Sequence, residues 1–279
     1  MRVFPVHDLL EPIRRMAIEV NYVLPPDVRM ALEELHQKED APSSASALED
    51  IIKNYGLAEA ERIPICQDCG MCLVFLEIGE EVFIEGDLEE TVQEAVRQGY
   101  VGGYLRKSMV ADPLRRVNTK DNTPAMIYTE RVKGDRVRVT VAPKGFGSEN
   151  MSKQAMLKPS DGLEGVKAFV VDSVRAAGPN PCPPVLVGVG IGGNFDKSAY
   201  LAKKALLRPV GEANPDPFYA KLERELLDEI NQLGIGAQGY GGASTAMAVH
   251  ILTLPTHIAG LPVAVNLNCH ATRHVSEVL

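Results

Sequence analysis

The sequence lacks three features that would each assign it to a large class of proteins. It has no basic stripe, and its formal net charge is −8, so we expect no wholesale binding of nucleic acid. It has no apolar run as long as a membrane span. Its N-terminus, MRVFPVHDLLEPIRRM, has neither an uninterrupted apolar stretch nor the small-residue cleavage site of a secretory signal. These absences predict a cytoplasmic protein that binds neither nucleic acid nor membrane.

Internal repeats and low-complexity linkers are also missing from the 279 residues. Hydrophobic residues make up 45% of the chain and charged residues 24%, which is typical of a well-packed globular protein. Helical periodicity dominates residues 1–60, and strand-like and helical segments then follow without regular alternation. We therefore predict an α/β (mixed α+β) fold in a single domain, residues 1–279. Its helical N-terminal region, residues 1–60, precedes mixed, largely antiparallel sheets flanked by helices.

Several local patterns predict particular elements. Ser44 is a candidate N-cap for the third N-terminal helix. LVFLEIG and EVFIEG predict one β-hairpin, and AMIYTERV and DRVRVTVA predict a second around Lys133-Gly134. Two further strands, TAMAVHILT and PVAVNLN, bring the chain to Cys269.

Cysteine is scarce, but its placement is informative. Of the five cysteines, Cys66, Cys69 and Cys72 lie within seven residues, in ICQDCGMC. In a large chain without a secretory signal, an odd count with such a cluster favours metal or redox chemistry over a disulfide framework. Cys182 in GPNPCPP and Cys269 in NLNCHATRH stand alone at the ends of predicted elements.

The cysteine pattern leaves four interpretations open. The C-x-x-C-x-x-C run resembles part of a ferredoxin ligand run, without its fourth cysteine and following proline, and could form a local electron-transfer site. One ligand from each distant loop would instead leave an iron open for Lewis-acid catalysis. Zinc is a third option, although the spacing is not that of a ribbon or knuckle. The fourth is that the cysteines are buried thiols acting as small hydrophobic residues.

Other motifs point to recognition of an anion. Arg106 in GYLRKS is a candidate bidentate clamp for a carboxylate, because guanidinium geometry matches two carboxylate oxygens. Gly145 and Gly147 in KGFGSEN let backbone N–H groups approach an anion, or they form a simple strand-to-helix turn. GIGGNFDK opens a helix but is not a dinucleotide motif. His270 and His274 lack the acid of a zinc-protease motif and indicate a structural or interface feature.

Eight sequence blocks together resemble one known family. The likeness runs from about residue 60 to the C-terminus and is to the α-subunit of class I fumarate hydratases and L-tartrate dehydratases. The resemblance implies a [4Fe–4S] cluster held by Cys66, Cys182 and Cys269, with the fourth iron open to substrate. The blocks are PICQDCGM, GYLRKS, NTPA, APKGFGSEN, GPNPCPP, GVGIGGNFDKSAYLAKKALLR, GIGAQGYGG and LPTHIAGLPVAVNLNCHATRH.

The resemblance also implies roles around the cluster, in the region of residues 61–279. Gln67 and Asp68 would lie beside the substrate as catalytic residues, where a carboxylate can orient hydroxide or take a proton. Both would also bind the substrate, a small dicarboxylate. The other implied substrate-binding residues are Arg106, Gly145, Gly147 and His257.

Two departures from the family pattern bear on these expectations. Cys69 stands where the family commonly reads QDTG, and Cys72 is a further addition; they are harmless neighbours, redox sensors or alternative ligands. Single-chain relatives carry a further C-terminal domain that this sequence lacks. The resemblance therefore implies a separate β-subunit in an α2β2 assembly, which would supply the proton-abstracting base, so that the α chain is active only with it.

The predicted function is reversible hydration of fumarate to L-malate by an iron–sulfur hydro-lyase. The alternative on the same scaffold is dehydration of L-tartrate, whose substrate differs by one hydroxyl. A rival from another class is an electron-transfer module that uses Cys66, Cys69 and Cys72. A redox or iron sensor is a further rival, for which no DNA-reading element is recognisable.

Overall fold

The computed structural model describes residues 1–279, and its helices and strands confirm the α/β class. The α-helices are α1 (Leu10–Tyr22), α2 (Pro26–Lys38), α3 (Pro42–Glu61), α4 (Leu88–Gly102), α5 (Phe146–Glu149), α6 (Gly162–Ala177), α7 (Phe195–Ala205) and α8 (Pro217–Asn231). The strands are β1 (Arg2–Pro5), β2 (Met71–Gly79), β3 (Val82–Glu85), β4 (Met126–Val132), β5 (Val137–Lys144), β6 (Lys153–Leu157), β7 (Val185–Gly193), β8 (Ala246–Thr256), β9 (Leu261–Asn268) and β10 (Val275–Val278). None of the helices combines the length and the apolar character needed to cross a bilayer.

The chain divides into two compact units. The first contains residues 1–25, 55–146 and 273–279, and the second contains residues 26–54 and 147–272. Each has its own four-stranded mixed sheet and its own buried apolar core. The single domain over residues 1–279 stays a prediction.

The N-terminal region is helical, as the sequence predicted, apart from strand β1. Ser44 is not the N-cap of α3, because this helix begins at Pro42. The Ser44 hydroxyl instead donates to the Glu39 carboxylate at 3.1 Å and accepts the backbone N–H of Ala237 at 2.9 Å. A buried hydroxyl at this position therefore serves tertiary packing and not helix initiation.

The sheet of the first unit has the strand order β10-β5-β2-β4. Its central strand β2 pairs parallel with β4 and antiparallel with β5, and β10 pairs antiparallel with β5. Alternate residues Val74, Leu76 and Ile78 of β2 enter the core, which α1 and α4 also line. This follows the two-residue period of a strand, which sends successive side chains to opposite faces.

Both predicted β-hairpins are wrong. Strand β3 pairs with β1 and not with β2, because β4 and β5 already occupy the two edges of β2. Strands β4 and β5 do not pair with each other, because they lie on opposite sides of β2. The Lys133-Gly134 turn between them therefore passes across the end of β2. Gly79 permits this passage, since a Cβ there would lie 2.3 Å from the Gly134 carbonyl oxygen.

The sheet of the second unit has the order β6-β9-β7-β8. Its central strand β7 pairs parallel with β8 and antiparallel with β9, and β6 pairs antiparallel with β9. Val187 and Val189 face a core lined by α6 and α8. On the opposite face, Gly188 and Gly190 bring α7 so close that an added Cβ would lie 2.1 Å from a backbone oxygen of that helix.

Candidate active site

The loop from Cys66 to Gly70 comes directly before β2 in the first unit, and buried side chains hold its backbone. The Tyr100 hydroxyl donates to the Cys69 carbonyl at 2.7 Å, and the Asn122 amide donates to the Gly70 carbonyl at 3.0 Å. Because buried carbonyls must find donors, these contacts fix the course of the loop.

Cys66 is half-buried, and its sulfur has a polar environment. The Asp68 N–H donates to the Cys66 Sγ at 3.4 Å, and the thiol contacts the Gln67 Oε1 at 3.5 Å. The structure therefore places the predicted ligand Cys66 next to both predicted catalytic residues.

Asp68 joins this loop to the glycine loop that follows β5. Its Oδ1 accepts the N–H of Gly70 at 3.0 Å, and its Oδ2 accepts the N–H of Phe146 at 2.9 Å. A Cβ at Gly145 would lie 3.4 Å from the same Oδ2. Asp68 therefore closes a turn and also brings the predicted substrate residue Gly145 to the Cys66 loop.

Arg106 lies in the segment after α4 with its side chain exposed. Its backbone N–H donates to the Cys69 sulfur at 3.2 Å. The predicted carboxylate clamp is thus attached through its main chain to the loop that carries Cys66. Its guanidinium lies at the surface, where it can bind an anion.

Cys69 and Cys72 differ from Cys66, because their side chains are almost wholly buried, at 1% and 0% exposure. Burial raises the pKa of Cys72 to about 12 and also raises the pKa of Cys69. Both thiols are part of the apolar core. Because metal binding requires thiolates, this environment counts against a local electron-transfer cluster on Cys66, Cys69 and Cys72.

Cys182 and Cys269 approach each other in the second unit. Cys182 is exposed and has a left-handed backbone, with φ of 56°, immediately before β7. Its carbonyl accepts the N–H of His270 at 3.1 Å. The antiparallel pairing of β7 and β9 explains this contact, because it places Leu186 opposite Asn268. Two predicted ligands 87 positions apart in the sequence thus share one end of a sheet.

Glycine-rich segments support the Cys182 loop. The Pro183 carbonyl accepts both the backbone N–H and the side-chain amide of Gln238, each at 2.9 Å. A Cβ at Gly239 would lie 2.5 Å from the Pro179 Cβ, and a Cβ at Gly147 would lie 3.7 Å from the Asn180 carbonyl. The block GIGAQGYGG therefore packs against this loop, and Gly147 lies near it.

His257 is not brought to Cys182 and Cys269 within the second unit. It lies exposed in the turn between β8 and β9, where its Nδ1 accepts the N–H of Ala259 at 3.2 Å. The eight residues of β9 separate this turn from Cys269, which corresponds to roughly 25 Å of extended chain. Its role at the substrate stays a prediction.

The donor set suits an iron–sulfur cluster in its chemistry. The predicted ligands are distributed as Cys66 in the first unit and Cys182 and Cys269 in the second. Within neither unit does a group of three or more His, Cys, Asp or Glu side chains come together in a way that could hold a metal ion. Each of the three thiols lies in a loop and is at least partly accessible, and cysteine thiolates are the usual ligands of Fe–S clusters.

Three residues that support the Cys66 loop were not predicted as site residues. Asn122 and Arg273 lie in the blocks NTPA and NLNCHATRH but had no predicted role, Tyr100 lies outside the blocks, and all three are buried. The Arg273 guanidinium donates to the Asp68 carbonyl at 3.2 Å and to the Asn21 side chain at 2.9 Å. Only the tertiary structure brings these side chains to the loop.

Comparison with known proteins identifies a family and named relatives. Residues 10–278 match the family model described as fumarate hydratase (Fumerase). A protein of Methanocaldococcus jannaschii, provisionally named L(+)-tartrate dehydratase subunit alpha, is 44% identical over 262 residues, covering 91% of this chain and 92% of that protein. The L(+)-tartrate dehydratase subunit alpha of Escherichia coli strain UTI89 is 34% identical over 272 residues, covering 96% and 89%.

These similarities define the class as a hydro-lyase. The chain belongs to the fumarate hydratase (Fumerase) family. The resemblance seen in the sequence motifs is thereby confirmed for the family.

Proposed function

We propose that this chain is the alpha subunit of an iron–sulfur-dependent hydro-lyase that reversibly hydrates fumarate to L-malate. The observation that carries the proposal is the hydrogen bonding of Asp68. Its carboxylate accepts N–H groups from Gly70 and Phe146, so the loop of Cys66 and the glycine loop converge on one acidic side chain. This convergence supports a substrate site next to a metal-binding cysteine.

The proposed cofactor is a [4Fe–4S] cluster held by Cys66, Cys182 and Cys269. Three cysteine ligands would leave one iron without a protein ligand, and when bound the cluster would supply a Lewis acid for a substrate hydroxyl. The accessible loop positions of these thiols support the assignment. The core positions of Cys69 and Cys72 argue against their inclusion.

The residues of this chain would bind and orient the substrate. The exposed Arg106 guanidinium would hold one carboxylate in a bidentate pair. Gly145 and Gly147 are the proposed glycines of the substrate loop, where the lack of side chains lets the backbone approach an anion. The oxygens of Asp68 retain lone pairs beyond those used by the two N–H donors, so Asp68 can orient water or a substrate hydroxyl, and the exposed Gln67 amide can donate to the substrate.

The proposed partner is a beta subunit, in an α2β2 assembly. The Methanocaldococcus and Escherichia relatives are both named as alpha subunits, which supports a multi-subunit enzyme. The base that removes the C3 proton would come from that partner, so this chain alone is expected to be inactive. His257 is left out of the proposal because it lies at the far end of β9 from Cys269.

L-Tartrate is the second candidate substrate. The relatives at 44% and 34% identity carry the name of L(+)-tartrate dehydratase. L-Tartrate has one more hydroxyl than L-malate, and the same carboxylate clamp and Lewis acid would serve both. Discrimination would then depend on contacts to that single hydroxyl.

The test is co-expression with the partner subunit, anaerobic reconstitution with iron and sulfide, and two assays. One follows fumarate absorbance from L-malate, and the other follows dehydration of L-tartrate. We expect malate turnover that falls by at least about a thousandfold in Cys66→Ala, Cys182→Ala and Cys269→Ala, since each removes a metal ligand. Iron content should fall in the same three variants.

Cys72→Ala is the matched control, because this thiol lies in the core and makes no proposed contact with cluster or substrate. It should retain iron and turnover. Turnover of L-tartrate alone would move the assignment to the second candidate. An intact cluster with no turnover of either acid would overturn the proposed function.

A further inference from the structure

We infer that Cys69 is a positioning residue, which fixes Arg106 by accepting its backbone N–H at the sulfur atom. The distance from the Arg106 nitrogen to the Cys69 Sγ is 3.2 Å. This inference rests on the proposed function in one respect, which is that Arg106 binds a substrate carboxylate. The hydrogen bond between Arg106 and Cys69 does not depend on the proposed function.

The thiol has polar contacts on two sides. It accepts from Arg106, and its S–H points to the Cys66 carbonyl oxygen at 3.8 Å. It thus links the backbone of a proposed cluster ligand to the backbone of the proposed carboxylate clamp. A group that both accepts and donates is required for this link, and a thiol or a hydroxyl meets the requirement.

The surrounding contacts show that the link is held in place. The Cys69 carbonyl is fixed by the Tyr100 hydroxyl at 2.7 Å. On the other side of the link, Leu105 is buried in the core, at 1% exposure. Cys69 and Arg106 therefore meet between two anchored segments, and the orientation of the Arg106 side chain depends on this meeting point.

Asn122 provides a second connection between the same two segments, so loss of the Cys69–Arg106 hydrogen bond should have a limited effect on the position of Arg106. Its side chain donates to the Gly70 carbonyl at 3.0 Å and accepts the N–H groups of Ser108 and Met109 at 2.7 and 3.2 Å. It therefore also joins the Cys69–Gly70 segment to the segment after Arg106. Removal of the Cys69 contact alone should loosen Arg106 without detaching the whole segment.

Other roles for Cys69 fit the structure less well. At 1% exposure the thiol is out of reach of an oxidant in solution, which a sensor must meet. Within the first unit it belongs to no group that could hold a metal ion. Finally, a thiol that only fills space in the core would not need a hydrogen bond from the Arg106 N–H. A threonine hydroxyl at this position could accept the same N–H as the thiol does.

The test compares Cys69→Thr with Cys69→Val, which have the same shape and differ by one hydroxyl. Both are purified with the partner subunit and a reconstituted cluster. We expect Cys69→Val to raise KM about tenfold with kcat nearly unchanged, as expected for loss of one hydrogen bond that orients a binding group. Cys69→Thr should restore KM to within about twofold of the unsubstituted enzyme.

Residue-resolved hydrogen exchange on the full-length chain provides a readout that needs no turnover. The Arg106 amide should exchange about tenfold faster in Cys69→Val and remain protected in Cys69→Thr. Cys72→Ala is the control and should change neither KM nor this exchange rate. If Cys69→Val does not fold, Cys69→Ser and Cys69→Ala make the same comparison with smaller side chains.

A double substitution tests whether Cys69 acts through Arg106. In an Arg106→Gln background, Cys69→Val should no longer change kcat/KM, because the positioned group is gone. Equal KM and equal exchange in Cys69→Val and Cys69→Thr would overturn the inference, as would loss of iron from Cys69→Val alone. Absence of turnover in the unsubstituted enzyme would defeat the proposed function, while the exchange measurement would still decide the Cys69–Arg106 contact.

Discussion

The two four-stranded sheets of this protein have the same pattern of pairing. In both, a central strand, β2 or β7, has a parallel partner on one side and an antiparallel partner on the other, and a fourth strand pairs antiparallel beyond it. Each central strand begins within a few residues of a predicted cysteine ligand, Cys66 before β2 and Cys182 before β7. The sequence has no repeat that would reveal this correspondence.

The cysteine loops before the two central strands are stabilised differently. Buried polar side chains, including Tyr100 and Asn122, hold the loop of Cys66. The loop of Cys182 is held by hydrogen bonds from the Gln238 backbone and side chain to the Pro183 carbonyl and by the close approach of Gly239. Both loops therefore use directed hydrogen bonds, and the loop of Cys182 adds tight backbone packing at a glycine.

The largest expected effect comes from disturbing the packing around β7. Gly190→Ala places a Cβ 2.1 Å from the Ser198 carbonyl oxygen of α7, so the helix must move away from the sheet. We expect the free energy of unfolding to fall by about 4 kcal/mol, as measured by urea denaturation. Gly56→Ala is the control, because a Cβ there meets nothing within 4 Å and should stabilise α3 by about 0.5 kcal/mol. Equal stability of the two variants would contradict the close packing of α7 on β7.

The next effect concerns the loop of Cys66. Asn122→Ala removes three hydrogen bonds at a fully buried site with φ of 64°. We expect it to lower the free energy of unfolding by about 3 kcal/mol, because it leaves buried backbone groups unsatisfied at a strained position. Asn118→Ala, at an exposed neighbouring position, should cost less than about 1 kcal/mol. A loss in the Asn118 variant as large as in the Asn122 variant would indicate that burial is not the cause.

The smallest of these effects is a pH dependence in the second unit. Burial, together with the nearby Arg208, lowers the pKa of His250 to about 4. The unfolded chain binds the proton first as the pH falls, so the contribution of His250 is complete above pH 6.5 and is lost as the pH falls toward 4. Between pH 7 and 5 we expect a loss of about 2 kcal/mol of unfolding free energy.

Chemical denaturation at several pH values would measure this loss. His250→Gln should reduce the slope of stability against pH. An identical slope in His250→Gln and the unsubstituted protein would show that another group causes the dependence.

Local patterns predicted the helical N-terminal region correctly and the strand pairing poorly. Helices α1, α2 and α3 account for the helical periodicity of residues 1–60. The hairpins were wrong because turn residues such as Lys133-Gly134 specify a reversal of the chain but not the strand that the returning segment meets. That choice depends on which edge of β2 is available, which is a long-range property.

In the candidate site, too, local motifs predicted some features and long-range contacts determined the others. The sequence identified Cys66, Asp68 and Arg106 from their motifs, and the structure brings them to one region of the first unit through contacts to Gly70, Phe146 and Cys69. The sequence did not identify the residues that support the Cys66 loop, since no local pattern shows that a tyrosine or an asparagine will be buried against a loop.

The sequence by itself determined the helical character of residues 1–60, the α/β class and the family, because these depend on local periodicity and on motifs of a few adjacent residues. Only the tertiary structure decided the strand order, the proximity of Cys182 to Cys269, and the separation of the cysteines into accessible and buried thiols. The physical reason is that pairing, burial and hydrogen bonding of distant groups are fixed by competition among all segments of the chain. A spacing of three residues placed Cys66 and Cys69 in the same motif, but burial in the core is what distinguishes them.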